Sequence, residues 1–111
     1  MALKHAKAGE IVDLSPLGPQ LRASRTAAIV KSDAFEAVRL IVRAGVTIPT
    51  HKVAGPIMLH CMEGRAVIGF GGAEVELSSG DWLHLEGGEP HSVHGIEDSS
   101  LLLTIIFVGN A

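Results

Sequence analysis

The feature that most restricts this chain is glycine, which takes thirteen of its 111 positions. The glycines fall between short runs rich in valine, isoleucine and leucine, and no stretch sustains the helical period far enough for a long helix. Short extended runs closed by turn residues bury their apolar faces by packing as a sandwich or a barrel. Residues 27–31 form one such run. Residues 35–43 alternate, with Glu36, Val38, Leu40 and Val42 on one face. That face grows more apolar along its length, so Val38, Leu40 and Val42 are expected to point inward. Residues 57–62 and 65–70 flank Glu63-Gly64 and read as a β-hairpin. Runs at 73–77, 82–85, 91–94 and 101–108 follow, separated by Gly71-Gly72, by 78–81, by the Gly-rich stretch 86–90 and by a polar turn at 97–100. Residues 11–14 are a short apolar piece closed by the breaker stretch 15–19, and 21–28 read equally as a helical turn or the entry to a strand. The chain holds roughly eight or nine strands in all, with no linker, repeat or low-complexity tract.

The length fits one domain spanning 1–111. A hydrophobic content of 47% supplies a core and argues against disorder. The net charge is −3 and the nine Lys and Arg residues are scattered, so there is no electrostatic footprint for nucleic acid. The single cysteine, Cys61, rules out an intramolecular disulfide and fits a reducing compartment. The longest apolar run falls short of the ~20 residues of a membrane helix, and the first ten residues lack the apolar stretch of a signal peptide. The expectation is a cytoplasmic protein with neither a nucleic-acid nor a membrane partner.

Two segments carry spacing of a more specific kind. In 45–64, Gly45 is followed by five residues and His51, and Gly64 closes the segment. In 80–95, Gly80-Asp81 opens a stretch that contains Gly88 and His91. These segments resemble the paired motifs of the cupin superfamily, and together they cover 45–95. Val53 stands where the family has its second histidine and Ile57 where it has a glutamate. In the second motif Glu86 replaces a proline and Gly95 an asparagine. The spacer 65–79 is short, as in small bacterial cupins. The resemblance implies an all-β fold, the double-stranded β-helix or jelly-roll barrel.

It also implies a site. His51, position 53 and position 57 share parity, which in a strand turns side chains to one face, and the second motif brings in His91 from a neighbouring strand. Imidazoles and a carboxylate arranged so can close on zinc, or on iron, nickel or manganese with open positions. Here only His51 and His91 remain as ligands, so the cofactor is left open: none, or a divalent Fe, Mn, Ni or Zn ion. His60, His94, Cys61 and Glu86 are the available third ligands. Parity turns His60 and His94 outward unless a bulge resets them, and Cys61 has inward parity but lies further along its strand.

Three functions of different class fit. One is a small-molecule binding module with an apolar barrel pocket lined by His51, Val53, Ile57, Cys61 and His91, with Val38 and Leu40 nearby. Another is a metal-dependent oxygenase, isomerase or lyase with a reduced ligand set. The last is an interaction protein whose outer face carries Trp82, His60 and His84. That face also suits a homodimer, as in small cupins similar to this chain. Cys61 reads as a buried small hydrophobe rather than a nucleophile, Glu86 as an exposed loop residue, and Arg39 and Arg43 as solvated or paired with Glu36 and its neighbours. The fold alone does not choose a reaction.

Overall fold

The computed structural model describes residues 5–108, so residues 1–4 and 109–111 of the expected 1–111 domain lie outside the described part. A 3-10 helix, Gly18–Ala23, precedes nine strands: β1 (Ala27–Lys31), β2 (Phe35–Val42), β3 (Thr47–His51), β4 (Ile57–Glu63), β5 (Arg65–Phe70), β6 (Ala73–Ser78), β7 (Trp82–Leu85), β8 (His91–Gly95) and β9 (Ser99–Ile106). They form two antiparallel sheets, ordered β1-β2-β9-β4-β7 and β3-β8-β5-β6. The expected all-β double-stranded β-helix is the observed architecture. Segment 21–28 resolves into both of its readings, a 3-10 turn and then a strand.

The inner faces meet in rows. On the larger sheet Glu36, Ile105, Ile57 and Leu85 form one row, Val38, Leu103, Leu59 and Leu83 the next, and Leu40, Leu101 and Cys61 a third. On the smaller sheet His51, His91 and Phe70 form an end row, followed by Ile48, Val93, Ile68 and Val75. The core gathers Val42, Ile57, Leu59, Cys61, Ile68 and Leu101, each at 2% exposure or less. Strand pleating turns alternate residues inward, so the burial of β4 switches at every residue from Ile57 to Met62.

Several expectations change. The hairpin at Glu63-Gly64 is not one: β4 pairs with β7 and β9, and β5 pairs with β6 and β8. The chain turns at Gly64 but crosses to the other sheet instead of pairing back. Its φ of 84° is accessible to glycine, and a Cβ there would lie 2.3 Å from the Asp98 carbonyl oxygen. β5 pairs instead with the strand that follows it, as the hairpin β5–β6 across Gly71-Gly72. The short apolar piece 11–14 forms no regular element and is not core, with Ile11 almost fully exposed. Ser99 and Ser100 are not turn residues: they open β9 and are fully buried. Their hydroxyls make this possible, because the one Ser99 Oγ proton has the Arg65 and Glu97 carbonyls within hydrogen-bond distance, and Ser100 Oγ accepts from Arg39 Nε.

Arg39 and Arg43 do not pair with Glu36, and the Arg39 side chain is largely withdrawn from solvent. Arg39 also donates to the Ser15 carbonyl and lies 3.9 Å from Glu63, whose carboxylate accepts from the Leu17 and Gly18 N–H groups. Arg43 donates to the carbonyls of Arg22 and Ser24. The two arginines and Glu63 thus fasten the N-terminal segment to the outside of β2 and β4. No helix among the described residues is long and apolar enough to cross a membrane.

Candidate functional site

β3 ends at His51, five residues cross to the other sheet, and β4 begins at Ile57. One end of the barrel therefore carries the His51–His91–Phe70 row on one sheet and the Glu36–Ile105–Ile57 row on the other. Val53 lies in the crossing, outside any strand, packed against the core. The same parity that points His91, Val93 and Gly95 inward leaves His94 exposed, where its ring meets the Thr47 hydroxyl.

His51 and His91 are cross-strand partners. Their ring centroids are 4.4 Å apart with an interplanar angle of 58°. His91 is buried and His51 exposed, so the pair runs from the core out to the mouth. Each Nδ1 faces a backbone carbonyl, His51 that of Pro49 at 3.1 Å and His91 that of Glu89 at 3.0 Å. A carbonyl only accepts, so Nδ1 carries the proton and donates. In the neutral ring the lone pair is then on Nε2, and in both rings that nitrogen is left for a ligand.

The other proposed pocket residues are placed differently. Ile57 sits in the end row but is closed into the core at 2% exposure. Cys61 does not line the mouth: it is four residues further along β4, about 13 Å at strand rise, and fully buried in the Leu40–Leu101 row. Leu40 shares that far row and Val38 the middle one. Burial pushes the Cys61 thiol pKa up, with the Asp81 carboxylate adding to it. Because the folded thiol ionises above the unfolded one, its stabilising contribution is complete below the unfolded pKa. It is lost as pH rises from there through the folded value. Cys61 is accordingly expected to resist a disulfide reagent such as DTNB in the native state at pH 8 and to react at once in denaturant. Fast native labelling would show that the core opens.

Among the described residues no group of three or more His, Cys, Asp or Glu side chains is arranged to hold a metal ion. His60 is half-buried on the outer face of β4, Cys61 is at the far end, and Glu86 is an exposed loop residue. The residues present therefore do not complete a metal-ligand set around His51 and His91. Phe70, beside His91, is a site residue that sequence reading missed; its inward parity along β5 was the available signal.

No protein-family model and no curated protein matches the chain. Solved structures do. A conserved Streptococcus pyogenes protein of unknown function superimposes with a TM-score of 0.76 at 15% identity, covering 99% of this chain and 97% of that one. A cupin superfamily protein from Desulfitobacterium hafniense gives a TM-score of 0.76 at 18% identity, over 93% of this chain and 100% of its own. An RmlC-like cupin protein from Desulfovibrio desulfuricans gives 0.69 at 23% identity, over 92% and 97%. At these identities the likeness establishes the fold.

Proposed function

Given that this chain has the double-stranded β-helix fold of the cupins, we propose that it binds a small molecule at the barrel mouth, on the imidazoles of His51 and His91 and without a full metal-ligand set. The observation that carries this reading is the tilted pair itself, with both Nδ1–H groups committed to backbone carbonyls and both Nε2 atoms left over. Two acceptors at the edge of an apolar core, with Phe70 in the same row, suit a small hydroxylated molecule with an apolar body. The test is a titration with phenol and catechol, followed by two-dimensional NMR. Shifts should centre on His51, Phe70 and His91 and vanish in a His51→Ala His91→Ala variant. Unchanged binding by that variant would sink the reading.

A metal-dependent enzyme is the second reading, favoured by the same two Nε2 atoms. Val53 and Ile57 supply no ligand, so no catalytic step follows from the residues present.

The homodimer belongs here as well. Met58, His60, Trp82 and His84 adjoin on the outer face of β4 and β7, and Trp82 is 61% exposed. Exposed aromatic surface of this kind favours association. Sedimentation is expected to give a dimer, and Trp82→Glu a monomer with unchanged circular dichroism. A monomeric parent chain would remove the idea. A reducing cytoplasm accords with the lone thiol.

A further inference from the structure

Glu36 stands on the inner face of β2, in step with Val38, Leu40 and Val42. It is the one charged member of the mouth-end row, beside Ile105 and Ile57. Its side chain lines a crevice of about 280 Å³ whose other walls are Val53, Ala54, Gly55, Ile105, Ile106, Phe107 and Val108. Those walls offer hydrocarbon and backbone and no cationic side chain. Among the described residues the ion pairs are Arg22–Asp98, Arg39–Glu63, Arg65–Glu76 and Arg65–Glu97, and Glu36 is in none of them. Lys31, its cross-strand neighbour on edge strand β1, is exposed and makes no ion pair with it.

Glu36 is half-buried at the edge of this apolar crevice, and its carboxylate has no cationic partner among the described residues. A ligand with a cation at one end and a hydrocarbon tail answers both parts of the lining: the charge pairs with the carboxylate, and the tail covers apolar surface. We propose that this crevice is a binding site for small organic cations, alkylammonium ions in the first instance, with Glu36 as the charge-recognising residue. The site adjoins the histidine pair through Val53 but stands on different side chains, so it goes beyond the reading above and fails independently of it. The volume lies near the lower end for small-molecule sites, which limits the tail to a short chain.

The experiment compares hexylammonium with hexanol on the intact chain, by calorimetry and by two-dimensional NMR. Hexylammonium should shift Glu36, Val53, Gly55 and Phe107 and bind about tenfold more tightly than hexanol. Glu36→Gln, which keeps the shape and removes the charge, should bring hexylammonium down to the affinity of hexanol and leave hexanol unchanged. Binding of hexylammonium should persist in His51→Ala His91→Ala, which separates this site from the histidine site. Should Glu36→Gln fail to fold, the alcohol comparison and the shift map on the unaltered chain still decide. Equal affinities for the two probes, shifts centred elsewhere, no binding, or a Glu36→Gln variant that still prefers the cation would each overturn the proposal.

Discussion

Gly64→Ala is expected to destabilise the chain by about 3 kcal/mol, one of the two largest single-residue effects anticipated here. Two costs add. The backbone is held at φ 84°, where an L side chain pays about 1–2 kcal/mol. The new Cβ would also meet Asp98 O at 2.3 Å, Ser99 Oγ at 2.6 Å and Ser99 Cα at 2.9 Å. Most of these are backbone atoms fixed by the start of β9, so little relief is available. For a chain of this size the loss corresponds to a fall in Tm of roughly 10–20 °C. Thermal denaturation followed by circular dichroism measures it. A fall below a few degrees would mean that the corner between the two sheets is looser than described.

Leu59→Ala should cost a comparable amount, about 2–5 kcal/mol. Leu59 is 1% exposed and lies in the middle row of the larger sheet, between Leu83 and Leu103 as its cross-strand partners. Row neighbours on both sides keep the vacated space from collapsing, which places the expected cost in the upper half of that range. Urea denaturation gives the value directly, with an unchanged m-value showing that the unfolded state is not the cause. A cost under 1 kcal/mol would contradict the packing of the rows.

The pattern of what could be read from the sequence has physical causes. Alternation in 35–43 placed Val42 and Leu40 inward, because pleating forces a period of two and a half-buried strand displays it. The same parity put Glu36 on that inner face, and its charge drew attention away from the mouth where it stands. Glycine pairs marked where the chain turns but not which sheet it turns into. Gly64 and Gly71-Gly72 look alike as turn signals, and one is a crossing between sheets while the other closes a hairpin. β3 was invisible, because Thr47–His51 is mostly exposed and holds Pro49. That proline is tolerated because β3 is an edge strand, with β8 on one side only.

The site was legible in part. The motif frame singled out His51 and His91, and the structure makes them cross-strand neighbours. What spacing could not convey is depth. Inward parity grouped Cys61 with the histidines although it lies further along its strand, and that distance carries it into the buried row at the other end of the barrel. The burial of Ser99 and Ser100 was likewise hidden, since it depends on partners distant in sequence, Arg39 and the Arg65 carbonyl.

The claim at the centre of this account is that His51 and His91 form a ligand site without a completed metal set. Elemental analysis of freshly purified, untagged protein, beside a His51→Ala His91→Ala control, tests it most directly. The account predicts well under one equivalent of iron, manganese, nickel or zinc in the parent chain, and no difference from the control. A near-stoichiometric metal that disappears in the control would contradict it and require a third ligand at the barrel mouth.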